Sequence, residues 1–216
     1  MSLVTCQISI SIDGFAAGPN QSLENPLGEG GERLHEWVFG TKSWRAMEGL
    51  EGGERNADSE VIEEVFQNVG AYIMGRKMFG GGDGAWNESW KGWWGDDPPY
   101  HTPVFVLTHH RREPVPMKGG TTFNFVTDGI HSALEQARSA AKGKNVDIAG
   151  GASTVQQYLK AGLLDELYLH ISPIVLGAGE RLLEDVGHPV LEQVKVVPSP
   201  KVTHVKYRIA HDTPPG

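Results

Sequence analysis

The sequence predicts an α/β fold: one mixed, mostly parallel sheet with flanking helices and an antiparallel C-terminal edge. Three observations carry this reading. Short β-branched or alternating runs take turns with runs of helical period along most of the chain, the order that parallel strands with crossover helices require. Three of those strands end directly in glycine or polar turns, at Gly75-Arg76, Thr108-His109 and Gly150-Gly151. The last two runs, 190–197 and 202–210, alternate with no helix between them, so they pair as an antiparallel edge.

Residues 4–12 are β-branched and alternating, with Ile8, Ile10 and Ile12 on one face, and Asp13-Gly14 ends the strand. Residues 15–57 are rich in Gly, Asn and charge and hold at most a short helical piece at 33–39. A loop that long in a compact domain reads as a lid. Asp58 stands where it can cap a helix whose stripe is Val61, Ile62, Val65, Phe66 and Val69, closed by Gly70. Residues 71–74 form a buried strand that turns at Gly75-Arg76 into a short helix. Residues 80–100 are irregular, and Trp86, Trp90, Trp93 and Trp94 pack that stretch down.

Strands follow at 103–107 and 122–126. Thr127 or Asp128 then caps a helix that turns Ile130, Ala133, Leu134 and Ala137 inward and ends at Gly143. Residues 146–149 alternate as a strand until Gly150-Gly151 breaks them. From Ala152 the period changes, with Val155, Tyr158 and Leu159 on one helical face and Gly162 at its end. Residues 165–175, with Leu167, Leu169 and Ile171 alternating, run back through the same sheet, so the unit is β-α-β.

The chain of 216 residues suits a single domain, 1–216, with a sizeable core. A net charge of −8 without a Lys/Arg cluster excludes nucleic acid as partner. One cysteine, Cys6, excludes an intrachain disulfide and fits a reducing compartment. The N-terminus lacks a signal-peptide pattern and no run is long enough to span a membrane, so a soluble, cytoplasmic protein is expected.

The glycines at 150 and 151 let a ligand lie against the backbone, while the first N–H groups of the following helix, unpaired within it, point at an anion. Ser153 reads as a cap. Ligands of open α/β sheets sit at the carboxyl ends of strands, so three such ends suit one extended anionic ligand such as a dinucleotide. Other motifs fail. Gly177-Ala-Gly179-Glu-Arg-Leu182 lacks the third glycine of a dinucleotide fingerprint. Adjacent His109 and His110 point to opposite faces and have no further ligand at zinc spacing. Ser153 and His170 come without a nucleophile elbow.

Taken in order, Ser11-Ile-Asp-Gly-Phe-Ala-Ala-Gly18, Ile73-Met-Gly-Arg-Lys-Met-Phe79, Val104-Phe-Val-Leu-Thr-His109 and Ile148-Ala-Gly-Gly-Ala152 resemble the dihydrofolate-reductase-like superfamily. More narrowly, the chain is similar to the C-terminal reductase domain of the bifunctional riboflavin-biosynthesis deaminase/reductase and its stand-alone relatives, over nearly its whole length. The resemblance does not extend to the deaminase half. The resemblance implies NADPH as cofactor, with no metal. Gly75, Arg76, Thr108 and His109 would hold adenosine-side phosphates; Gly150, Gly151, Ala152, Ser153 and Thr154 the pyrophosphate; and Ile12, Ala16 and Ala17 would flank the nicotinamide. Gly177 to Gly179 matches a family turn near the site.

The expected activity is NADPH-dependent hydride transfer to a C=N or carbonyl group of a small pyrimidine- or pterin-like substrate, similar to 5-amino-6-(5-phosphoribosylamino)uracil reductase. Dihydrofolate reduction, a nucleotide-binding module without turnover, and a dimerisation domain with an empty cleft are the rival readings. Candidates for proton donor are Asp13, His35 and Glu36; Asp13 and Trp37 are candidate substrate contacts. Glu60, Glu63 and Glu64 point away from the apolar stripe of their helix and Asp58 is assigned to capping, so little dihydrofolate reduction is expected. The partners expected are a small-molecule substrate and a second copy of the chain.

Overall fold

A computed structural model describes residues 2–210 of the chain. In chain order the strands are β1 (Val4–Ser11), β2 (Phe15–Ala17), β3 (Val69–Gly75), β4 (Pro103–Leu107), β5 (Val115–Pro116), β6 (Thr122–Val126), β7 (Asn145–Gly150), β8 (Glu166–Ser172), β9 (Glu180–Arg181), β10 (Val190–Pro198) and β11 (Thr203–Ala210). The helices are α1 (Glu36–Phe39), α2 (Lys42–Met47), α3 (Ala57–Phe66), α4 (Arg76–Phe79), α5 (Gly129–Ala141) and α6 (Ala152–Lys160). Nine strands form one sheet in the order β10-β11-β8-β1-β7-β3-β4-β6-β5. The run from β8 to β6 is parallel, and β10, β11 and β5 are antiparallel.

The sheet separates two chemistries. Alternation along β1 and β8 sends Val4, Cys6, Ile10, Leu167 and Leu169 to the face where Ala133, Leu134, Ala137, Val155 and Leu159 of α5 and α6 close the main core. The other face carries Thr5, Gln7, Ser9 and Ser11 of β1, Asp147 of β7, Tyr168, His170 and Ser172 of β8, and His204 and Lys206 of β11. Part of it lies beneath Trp37, Val38 and Ile62. A polar face inside a domain requires hydrogen-bond partners for each group. Among the described residues no helix is long and apolar enough to cross a membrane.

Strands β4 and β6 coincide with their predicted limits, and β7, α6 and β11 agree within two residues. The differences have physical causes. Helix α3 ends at Phe66, so Val69 and Gly70 belong to β3: a Cβ on Gly70 would stand 2.5 Å from the Ala141 carbonyl oxygen, and only glycine lets the strand pass the end of α5. The cap of α3 is Asn56, whose Oδ1 accepts from Ser59 N at 3.0 Å, and Asp58 is the second helical residue. At about 100° per residue Asp58 shares the side of Val61 and Ile62 and is turned inward. Segment 15–57 holds more structure than expected. Besides a 3₁₀ turn over Gly31–His35 and α1, Thr41 caps α2, and β2 pairs with β9 in a separate two-stranded sheet. Strand β8 stops at Ser172, three residues short of the predicted end.

Candidate functional site

Strands β7, β3 and β4 are consecutive neighbours and run parallel, so their carboxyl ends lie side by side. That adjacency brings Gly150-Gly151, Gly75-Arg76 and Thr108-His109 to one edge, and β1, paired in parallel with β7 through Val4 and Thr5, runs toward the same edge. The Gly150–Gly151 peptide is cis, and Gly150 has φ +122°, a region that disfavours side chains. Around an added Cβ at Gly151 nothing lies within 4 Å, so space is open where a phosphate would approach. Gly151 is also the N-cap of α6, and no side chain caps that helix. Ser153 is exposed and leaves the cap unfilled, a correction to its expected role, whereas Thr154 and Ala152 are buried against the sheet. A nine-residue helix whose N-terminus is uncapped and faces open space presents backbone N–H groups of the kind an anion accepts.

Arg76 Nε donates to the Gly82 carbonyl at 3.0 Å, and its guanidinium lies 3.8 Å from the ring centre of Trp86. Both Nη atoms are shielded and lack partners, two orphaned donors of the kind an anion satisfies. Burial lowers the Arg76 pKa, with Asp83 opposing and Arg112 adding to the effect. Arg112 comes from the loop after β4 and flanks the same indole at 5.1 Å, held by Nη2 bonds to the Glu88 and Trp90 carbonyls. Thr108 is buried, its Oγ1 accepting from His110 N at 3.1 Å, while His109 is exposed.

At the end of β1, Ile12 is 66% exposed and so leaves the core face on which its alternation placed it. Half-buried Ala16 and buried Ala17 follow it in β2. Asp13 bridges to the turn after β8: Oδ1 accepts from Leu176 N at 3.1 Å and Oδ2 from Gly177 N at 2.7 Å. The Ser11 hydroxyl first, then these backbone amides, hold its pKa at about 2. Gly179 closes the same corner, since a Cβ there would stand 2.0 Å from the Ala17 carbonyl oxygen.

The two other proton-donor candidates are consecutive residues at the start of α1. Glu36 is exposed; His35 is half-buried, with Nδ1 unpartnered and its pKa lowered chiefly by burial. Trp37 is 5% exposed and lies on the polar face: its indole is 4.9 Å from the His170 ring and 4.8 Å from His204, and Nε1 donates to Ser9 Oγ at 3.1 Å. Beneath it runs a chain that sequence reading missed. Asp58 Oδ1 stands 3.1 Å from His204 Nε2, His204 Nδ1 2.8 Å from His170 Nδ1, and His170 Nε2 3.1 Å from Gln7 Oε1. The signal was the alternation of His170 and His204 with leucine, valine and isoleucine neighbours, which puts both on the face opposite the main core.

A cavity of about 60 Å³ adjoins the chain, lined by Thr5, Gln7, Asp147, Tyr168, Glu166 and Lys206. Asp147 Oδ1 and Tyr168 OH are buried there without partners. A larger cavity of about 380 Å³, by Leu159, Leu167, Leu183 and Leu191, is on the other face of the sheet, and His188 is the one titratable residue in its lining. The chemistry therefore assigns the site to the strand ends and the polar face, not to the larger volume. Among the described residues no cluster of His, Cys, Asp and Glu could hold a metal ion.

The sequence model of the RibD C-terminal domain matches residues 2–205. Among curated proteins the chain is similar to the uncharacterized protein YyaP of Bacillus subtilis, 32% identical over 97 residues, covering 42% of this chain and 50% of that one. The chain thus spans about half the length of the curated relative it matches. Among solved structures it resembles a putative riboflavin biosynthesis protein of Shewanella sp. PV-4, with TM-score 0.60 and 20% identity over 97% of this chain and 99% of that one. A dihydrofolate reductase of Enterococcus faecalis complexed with NADP(H) gives TM-score 0.55 and 14% identity over 97% of both chains. The riboflavin biosynthesis reductase Rib7 of Saccharomyces cerevisiae gives 0.56 and 11% over 97% and 90%. At these identities the likeness establishes the dihydrofolate-reductase-like fold.

Proposed function

The chain belongs to the RibD C-terminal domain family, and from that premise we propose that it is an NADPH-dependent reductase acting on a C=N or carbonyl group of a small pyrimidine-like compound. The observation that carries the reading is the side-by-side ending of β7, β3 and β4 in Gly150-Gly151, Gly75-Arg76 and Thr108-His109. The residues fit the cofactor. Open space over Gly151 and the uncapped α6 suit a pyrophosphate, and the orphaned Nη atoms of Arg76 suit a further phosphate. Exposed Ile12 with Ala16 and Ala17 suits the nicotinamide. When bound, NADPH supplies the hydride.

The protein's share is binding, orientation and exclusion of water. Helix α6 and Arg76 fix the charged end, and Asp13 locks the turn after β8 against the end of β1. Trp37 and the segment around α1 cover the polar face on which a ring bearing N–H and C=O groups would find partners. Quenching of tryptophan fluorescence by NADPH tests the cofactor, and loss of NADPH absorbance across a panel containing 5-amino-6-(5-phosphoribosylamino)uracil and dihydrofolate tests the reaction. Binding without turnover of any panel member would favour the nucleotide-binding module; no binding would reject the reading.

The expected homodimer is carried forward as part of this reading. Edge strand β10 leaves Val190, Val194 and Val196 exposed, which supports pairing with a second copy.

A further inference from the structure

Trp86 is shared by two arginines that reach it from different loops. Arg76, at the start of α4, lays its guanidinium 3.8 Å from the ring centre, and Arg112, in the loop after β4, brings its own to 5.1 Å. The ring itself is fixed. Nε1 donates to the His110 carbonyl at 2.8 Å, and Phe79 and Phe125 meet the indole edge-on with ring centres 5.8 and 5.0 Å away. His110 is set in turn by Thr108, whose Oγ1 accepts from His110 N at 3.1 Å. The segments that follow β3 and β4 thus hold one indole between them.

Arg112 is the better buried of the two arginines. Its side chain is 1% exposed, and Phe79, Phe125 and Trp86 surround the guanidinium, with ring centres 5.8, 5.0 and 5.1 Å away. Nη2 donates to the Glu88 carbonyl at 3.0 Å and to the Trp90 carbonyl at 2.6 Å. Nε lies 3.4 Å from the Glu88 carboxylate, and Nη1 is enclosed without a hydrogen-bond partner. A buried cation with a nitrogen left unsatisfied is commonly costlier than an apolar side chain of its length. Stability alone therefore leaves Arg112 unexplained. What it supplies is a tie: the two carbonyls belong to residues just after Trp86, so Arg112 fastens that stretch onto the loop that follows β4.

The hold of the loop tip on Arg76 is lighter. Nε of Arg76 donates to the Gly82 carbonyl, Asp83 supplies the opposing charge, and a Cβ at Gly82 or Gly84 would meet no atom within 4 Å. Gly80 and Gly81 differ, since a Cβ there would stand 2.6 Å from Trp93 and 2.9 Å from Trp90. The tip 82–84 therefore has room to move off the arginine while the tryptophans stay. Both Nη atoms of Arg76 are buried without partners, and Arg112 adds a like charge nearby. An anion that takes the place of Asp83 finds two free donors held in plane against the indole.

We propose that Arg112 is a positioning residue for cofactor choice: by tying Glu88 and Trp90 to the end of β4 it keeps Trp86 stacked on Arg76, and so presents the Arg76 guanidinium to the 2′-phosphate that distinguishes NADPH from NADH. This role rests on the reductase reading above. Arg112 does not touch the phosphate and acts through the indole. A free arginine gives up its rotamers when it binds an anion, whereas one already stacked has given them up beforehand.

The test is calorimetric titration of the whole chain, because removing a tryptophan alters the emission. Adenosine 2′,5′-bisphosphate and adenosine 5′-phosphate report the 2′-phosphate without turnover, and NADPH and NADH report it in the cofactors. Arg112→Met is expected to weaken the bisphosphate and NADPH by about tenfold, the size of one charge-assisted hydrogen bond, and to leave adenosine 5′-phosphate and NADH within about twofold. Trp86→Leu should do the same. The double variant should lose no more than either single one, because both break the same stack; losses that multiply would show that Arg112 acts without the indole. Equal weakening of all four ligands would reduce Arg112 to a structural pin, and an unchanged bisphosphate affinity in folded Arg112→Met would overturn the role outright. Should Arg112→Met fail to fold, Arg112→Lys, which keeps the charge but not the planar fork, carries the same comparison. Wild-type protein that binds NADPH and NADH alike would overturn the selectivity and leave the reductase reading standing. Wild-type protein that binds none of the four would reject that reading and the role with it.

Discussion

Gly75 and Thr154 interlock: a Cβ built on Gly75 would stand 2.5 Å from Thr154 Oγ1. The contact ties the end of β3 to the first turn of α6, so the two proposed phosphate-binding segments are positioned by one another. Gly75→Ala is expected to destabilise the protein by ~1–3 kcal/mol, the usual cost of overpacking, and to weaken NADPH. Thr154→Ala in the same chain removes the offending oxygen and should restore most of the stability. Denaturant midpoints and NADPH titrations of the two single variants and the double variant check this; additive losses would show that the contact does not set the cradle.

Gly151→Val is expected to leave the fold intact and abolish cofactor binding. The added branch meets no protein atom within 4 Å of its Cβ, so it fills only the space assigned to the phosphates. Circular dichroism should match the wild type while NADPH no longer quenches tryptophan emission. A folded variant with wild-type affinity would remove the Gly-Gly turn from the site.

Arg76→Ala should weaken NADPH by ~1.5–3 kcal/mol, the magnitude for a hydrogen bond to a charged group, and spare NADH. The Nη atoms stand without partners on the face of Trp86, preorganised for a phosphate that only NADPH carries. Equal loss for the two cofactors, measured by fluorescence titration, would move Arg76 to the shared pyrophosphate.

Asp147 gives a pH dependence of stability. It is 2% exposed, and burial raises its pKa to about 7 against the opposing bond from Thr5 Oγ1 at 2.9 Å. The folded pKa lies above the unfolded value, so the folded state binds the proton more tightly. Its contribution is fully present below about pH 4 and is lost as pH rises through 7, a change of up to ~4 kcal/mol. Asp147→Asn should flatten that slope and raise the melting temperature above pH 7. A wild-type slope retained in the variant would place the buried proton elsewhere.

Much of the frame was legible because it depends on local period. Alternation located β1, β4, β6, β7, β8 and β11, and the change of period after Gly151 located α6. The segment 15–57 was harder, since Thr41 capping α2 and the pairing of Phe15 with Arg181 involve too few residues to show a period.

By itself the sequence determined that three strands would end in glycine or polar turns, because Gly75, Thr108 and Gly150 break strand periodicity within a residue or two. It determined, too, that β1 and β8 would each carry a polar face. Only tertiary structure decided what that face would do. Asp58 and His204 are 146 positions apart, and whether a carboxylate at the start of a helix caps it or turns inward depends on what waits beneath. Asn56 took the cap and His204 offered a partner out of water, so burial of Asp58 became affordable through a contact that no local pattern encodes.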